Sequence, residues 1–239
     1  SDVAWRVFRK VGQGLREFRQ LSDGSHVLAA LSGGKDSMCM VEQLVKWIPR
    51  LPFRVQLSAV HVRTDASDPD RNNDGYMQSF CDSLGVPLHF IYTDVLSTAG
   101  PEGVNCYHCA RRRRIMLFRL ANTLGADRIA LGHHMDDIVE TTLMNMCFNG
   151  TFSTMEPRMD IFQGRTAIIR PLAKVLEREI IAYADERGFW RQPCECSYAK
   201  FAMRGKMKSL VKTLEELYPD VRQNIFASTQ KIERPNPLA

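Results

Sequence analysis

No apolar run in these 239 residues reaches the about 18 that a membrane-spanning helix needs, so no membrane span is expected. The opening stretch, SDVAWRVFRKVGQG, lacks the apolar core and small-residue cleavage site of a secretion signal, and a cytoplasmic address is the expectation. Internal repeats and low-complexity segments are also missing, which sets aside solenoids and disordered tracts. The seven cysteines are an odd number, and their spacing does not resemble a secreted disulfide framework.

The composition is ordinary for a globular chain, 44% hydrophobic and 25% charged, and its length suits one large domain with appendages. Net charge is only +5, but the basic residues are grouped. Arg6, Arg9, Lys10, Arg16 and Arg19 lie early, arginines fill 111–114, and Lys200, Arg204, Lys206, Lys208 and Lys212 lie late. Such groups suit a polyanion, and solvated helix faces look the same.

Apolar periodicity predicts an amphipathic helix over 5–21, carrying Phe8, Val11, Leu15 and Phe18. Strands are expected at 26–31, 55–62, 87–92, 128–131 and 167–170. Helices are expected between them at 36–48, 76–84, 109–123, 136–147 and 172–187, with two more near 203–217 and 219–231. The stretches 64–73, 93–105 and 149–164 read as loops. Alternation of this kind implies an α/β fold, a doubly wound parallel sheet with helical N- and C-terminal extensions. We place the extensions at 1–22 and 189–239, and the nucleotide-binding body at 23–188.

Three constellations carry chemistry. In the first, the strand at 26–31 stops at Ser32-Gly33-Gly34-Lys35-Asp36-Ser37 and restarts as a helix. Glycines let the backbone approach an anion, and the amides opening the helix point at it. Lys35 adds a cation, and Ser32 and Ser37 add hydroxyls. The spacing is not that of a Walker A loop. The second is Gly132-His133-His134-Met135-Asp136-Asp137, also at a strand end and so at the same sheet edge, where ligands bind in such folds. Asp136 and Asp137 suit Mg²⁺ facing a nucleotide, and they equally suit helix capping. Two adjacent imidazoles point different ways, so one of His133 and His134 is expected to pack and the other to meet a ligand.

The third constellation is cysteine. Cys39, Cys81 and Cys147 sit among apolar residues and read as buried. Cys106 and Cys109 form C-x-x-C, and Cys194 and Cys196 form a second close pair. Zinc, an iron–sulfur cluster and a redox dithiol all remain open for them.

Taken together, SGGKDS at 32–37, GHHMDDIVET at 132–141, the C-x-x-C and Ile169-Arg170-Pro171-Leu172 resemble the PP-loop ATPase superfamily and, within it, the tRNA 2-thiocytidine synthetase family. The resemblance spans nearly the whole chain. It implies that residues 32–37 bind ATP, cleaved to AMP and pyrophosphate while a base carbonyl oxygen is activated. Nucleotide binding then extends to Val60 and His61 on the adenine side and to Gly132, Asp136 and Asp137, with Mg²⁺ held near the two carboxylates. Catalytic work falls to Lys35, Asp36 and Asp137. It further implies a [4Fe–4S] cluster on Cys106, Cys109 and Cys194, the last chosen because it follows Pro193. Here the chain departs from the family pattern, with Cys-Glu-Cys where relatives often show Cys-x-x-Cys, which makes Cys196 the alternative ligand. The implied partners are tRNA and sulfide or a cysteine-desulfurase sulfur donor, with no membrane, and a homodimer is compatible with this reading. Rival readings are a thiolase acting on uridine or a small pyrimidine, and a non-catalytic zinc or cluster protein that binds RNA and senses oxidation.

Overall fold

A computed structural model describes residues 1–65, 74–97, 106–189 and 203–231, with backbone alone for 106, 107 and 203. The elements are α1 (Asp2–Glu17), β1 (Ser25–Ala30), α2 (Lys35–Trp47), β2 (Val55–Thr64), α3 (Asp74–Ser83), β3 (Leu88–Thr93), α4 (Cys106–Leu124), β4 (Arg128–Ala130), α5 (Met135–Asn149), β5 (Arg158–Ile161), β6 (Thr166–Ile169), α6 (Glu177–Arg187), α7 (Met203–Leu217) and α8 (Val221–Gln230). A 3₁₀ turn at Ile48–Arg50 ends α2 and contains Pro49.

The strands form one sheet in the order β3-β2-β1-β4-β6-β5, parallel except for β5, which pairs antiparallel with β6. The chain works outward from β1 to β3, then returns to the other side of β1 at β4. That reversal leaves a crevice beyond the carboxyl ends of β1 and β4. Because β1 is covered on both faces, its side chains are apolar on both. Val27 and Ala29 join the core under α1, α2 and α6 with Val11, Met38, Leu44 and Ile180, while Leu28 joins Val60, Leu117, Ala121 and Ile129 under α4. A third cluster ties α5 to α8 and the turn before α6 through Ile138, Val139, Leu176 and Phe226.

Three sequence expectations are corrected. The loop expected at 149–164 contains β5, whose hairpin to β6 turns through Phe162, Gln163 and Gly164, all at positive φ. The helix expected from 172 begins only at Glu177, because 171–176 form turns that bury Leu172, Val175 and Leu176. Their apolar spacing reflects burial of a turn rather than a helix face. Cys147, expected in the core, is exposed near the end of α5, whereas Cys39 and Cys81 are buried.

Helix α1 lies close to α2 because Gly12 leaves room for Trp47, whose Nε1 donates to the Phe8 carbonyl at 2.8 Å and whose ring stacks on Phe8 with centroids 4.4 Å apart. A Cβ on Gly12 would fall 1.9 Å from Trp47 Cζ2. Gly12→Ala is therefore expected to destabilise by about 1–3 kcal/mol through overpacking. Gly14→Ala, whose nearest neighbour would be at 3.7 Å, should leave the thermal midpoint unchanged or raised. Scanning calorimetry of the pair checks this.

Helix α6 is fixed against α2 by a buried group. Glu42 accepts from the Tyr183 hydroxyl at 2.8 Å and pairs with Lys46 at 2.8 Å and Arg187 at 2.7 Å. Glu42 alone of the three charges is cut off from water, and its two half-exposed cations and the Tyr183 hydroxyl together offset the cost of burying it. The consequence for the site is that the start of α6 is held beside the start of α2.

Candidate functional site

The loop between β1 and α2 is shaped from within. Gly33 takes φ +83°, which only glycine adopts cheaply. The Ser37 hydroxyl donates to the Gly34 carbonyl at 2.9 Å and accepts from the Ser32 amide at 3.1 Å, so Ser37 holds the loop's curve. Ser32 is exposed. The first amides of α2 have no partner within the helix and carry its positive end, which makes the loop an anion cradle.

The turn after β4 touches this loop directly. A Cβ on Gly132 would lie 3.1 Å from the Ser37 amide nitrogen and 3.2 Å from the Asp36 carbonyl carbon, so glycine lets the two turns meet. The two motifs expected at one sheet edge are thus in contact there. His134 is buried and caps α5, with its ring Nδ1 accepting from the Asp137 amide while the Asp137 carboxylate accepts from the His134 amide. His134 is therefore the packed histidine. His133 is half-buried, and its Nδ1 is enclosed with no partner. Burial, then repulsion from Arg170, push its pKa down to about 4, so the ring is neutral near pH 7.

Asp136 and Asp137, adjacent in sequence, have different tasks. Asp136 is buried, accepts from the Glu177 amide at 2.7 Å and pairs with Arg222 at 2.8 Å, so it fastens α6 and α8 to α5. Asp137 is half-buried and pairs with Arg204 of α7 at 3.2 Å. Lys35 lies 2.9 Å from Asp36 and 3.5 Å from Glu177, and Lys208 also pairs with Glu177. Burial works to raise the Glu177 carboxyl, but Lys208 and Lys35 outweigh it and hold it below the ordinary value. Glu177 and Arg222 were absent from the sequence expectations, and Arg204 and Lys208 entered them only as members of the late basic group, since no local motif ties any of the four to the site.

Val60 and His61 lie level with the end of β1 rather than at the end of β2, which runs on to Thr64. Val60 is enclosed under α4, and the His61 ring meets the Leu31 carbonyl at 2.8 Å. Burial lowers the His61 pKa, and Arg113 of α4 adds to the effect. Helix α4 starts at the same carboxyl edge, with Cys106 and Cys109 on its first turn. Positions three apart share a helix face, as a cluster or metal would require, and Cys109 is half-buried as a free thiol. Cys194 and Cys196 lie outside the described residues.

Among the described residues, no three His, Cys, Asp or Glu side chains converge as a preformed metal cage. Asp137, with Asp36 nearby, still fits Mg²⁺, which is commonly held by one or two carboxylates plus substrate phosphates. No described helix is long and apolar enough to cross a membrane.

The PP-loop domain model matches residues 7–192. The tRNA-cytidine(32) 2-sulfurtransferase of Burkholderia lata is 35% identical over 236 residues, covering 95% of this chain and 69% of that protein. Its namesake from Burkholderia multivorans is 36% identical over 230 residues, covering 92% of this chain and 67% of its own. Among solved structures, the U34-tRNA thiolase NcsA from Methanococcus maripaludis, with its [4Fe–4S] cluster, superposes with a TM-score of 0.79 at 23% identity, covering 95% and 78% of the two chains. An NH₃-dependent NAD synthetase from Campylobacter jejuni gives 0.52 at 15% identity, covering 99% of each chain.

Proposed function

This chain belongs to the PP-loop family and, within it, to the tRNA-cytidine(32) 2-sulfurtransferases, and from that premise we propose that it replaces O2 of an anticodon-loop cytidine, at position 32, with sulfur at the expense of ATP. The observation that carries the reading is the meeting of the 32–37 loop and the Gly132 turn at the switch point, under a helix that opens with C-x-x-C.

A carbonyl oxygen on a pyrimidine is a poor leaving group. The cytidine O2 attacks the α-phosphorus of ATP, pyrophosphate departs, and the base carries an adenylate. Sulfide then attacks C2, and AMP leaves with the former O2. The amides of 32–37 and Lys35 face the charge gathering on pyrophosphate, where fixed donors act most strongly. Asp36 and Asp137 would hold Mg²⁺, which screens the same charge. His61 would border the adenine side, whereas the Val60 side chain is enclosed in the core beneath α4. Cys106, Cys109 and Cys194 would hold a [4Fe–4S] cluster, which supplies an iron position free of protein ligands for the sulfur source. Holding the two reactants against one carbon gains effective concentration over free encounter. Sulfide itself meets this need, as does a desulfurase-borne persulfide once a second thiol attacks its inner sulfur, forming a disulfide and releasing the outer sulfur as sulfide.

Nucleoside mass spectrometry of tRNA from cells lacking the protein tests the substrate. Loss of 2-thiocytidine, restored by the gene, is expected. Unchanged 2-thiocytidine with loss of a thiouridine would move the reading to the uridine thiolases.

A further inference from the structure

The edge of the crevice beyond β6 holds a cation that the chemistry above leaves unused. Arg170, the residue after β6, is only 6% exposed, with its backbone fixed at both ends. Its amide donates to the Pro157 carbonyl at 2.8 Å, and its carbonyl accepts from Gln20 at 3.1 Å. Of its side-chain nitrogens, Nη1 donates to the Glu156 carbonyl, Nε is enclosed without a partner, and Nη2 makes no hydrogen bond to a described residue. No carboxylate pairs with it among the described residues. The largest charge acting on it is the like charge of Arg114; burial together with that repulsion lowers its pKa to about 10 against the weaker, opposite pull of the Glu156 and Asp137 carboxylates, so it stays charged. Beside it stands His133, whose Nδ1 is also enclosed and unpaired.

A buried guanidinium with two nitrogens unspent and another arginine nearby is costly unless an anion completes it. The Nε–Nη2 edge matches two oxygens of one phosphoryl group, and Nη2 is met first because Nε is covered. Arg114 is exposed on α4 and would close on the same group from outside.

We propose that Arg170 and Arg114, with the neutral His133 beside them, form a phosphoryl seat for a backbone phosphate of the RNA substrate next to the reacting nucleotide. This rests on the tRNA reading given above. The alternative source of a phosphoryl group is the nucleotide cosubstrate. Position favours RNA: the 32–37 cradle already serves ATP at β1, whereas Arg170 follows β6, two strands away in the sheet order and so about 10 Å across it. A seat at that distance suits a second polyphosphate chain entering the same crevice.

The test measures binding of an unmodified anticodon stem-loop and of ATP to the full chain, over a range of KCl, for the wild type, Arg170→Lys and Arg114→Ala. Arg170→Lys keeps the charge and loses the fork, and Arg114→Ala changes an exposed residue, so thermal midpoints near wild type are expected for both. Each substitution should weaken RNA binding about tenfold, and Arg114→Ala, which removes a charge, should also reduce the slope of log K against log salt by about 0.7–1 while Arg170→Lys leaves the slope near that of wild type, with ATP affinity within twofold of wild type for both. RNA affinity and slope unchanged in both variants would overturn the seat. Weaker ATP binding with RNA untouched would hand the phosphoryl group to the nucleotide and overturn the RNA assignment. Wild-type binding that fails to prefer the stem-loop over unrelated RNA would count against the tRNA reading, while the slope comparison on that RNA still judges the seat.

Discussion

Protein purified without oxygen should be brown, and Cys106→Ala, Cys109→Ala or Cys194→Ala should each render it colourless, whereas Cys196→Ala and Cys147→Ala keep the colour. The effect is large because a cubane held by three thiolates loses a third of its protein ligands with each change. Cys106 and Cys109 open α4 three residues apart, and Cys109 is half-buried at the carboxyl edge where the reactants meet. Cys147 is the internal control, since it is exposed near the far end of α5. Iron and acid-labile sulfide analysis alongside the visible spectrum decides the matter. A colourless wild-type protein with one zinc per chain would sink the cluster, and colour lost with Cys196→Ala but kept with Cys194→Ala would exchange the third ligand.

Lys35→Ala and Asp137→Ala are expected to cut pyrophosphate release by about 10²–10³-fold while leaving the colour intact. Both residues stand at helix starts on either side of the Gly132 contact, where the proposed triphosphate site lies. In the structure each already holds an opposite charge, Lys35 with Asp36 and Glu177, and Asp137 with Arg204. Asp137→Ala also removes a capping box, worth about 1 kcal/mol, so a modest fall in thermal midpoint should accompany it. Asp136→Ala gives the contrast: it leaves the buried Arg222 with Glu215 alone and the Glu177 amide without its acceptor, and its main effect should be a stability loss of about 1–3 kcal/mol. A single-turnover pyrophosphate assay with calorimetry separates the two. Full release from Asp137→Ala would remove that carboxylate from the mechanism.

Much of this was legible because the information is local. A buried strand, a glycine turn and a helix start occupy consecutive residues at 26–39 and again at 128–140, so spacing alone placed both motifs at one edge. The edge strand β5 escaped because Arg158-Met159-Asp160-Ile161 is short, and two of the three positive-φ residues of its hairpin, Phe162 and Gln163, are not residues that favour that conformation. Division of labour between Asp136 and Asp137 was equally hidden. It depends on Arg222, Glu177 and Arg204, brought in by the fold from distant segments. Arg170 could be read as part of a family motif, but its burial and unspent nitrogens belong to three dimensions.

The ties from α7 and α8 to the carboxylates of the site have a consequence for the order in which the protein is made. Helices α7 and α8 follow every other described element, so they leave the ribosome after α2, α5 and α6 have emerged. Until then Asp136 lacks Arg222, Asp137 lacks Arg204, and Glu177 lacks Lys208. A nascent chain can close its sheet early and still present an unfinished nucleotide site, so ATP turnover should await the arrival of α7 and α8.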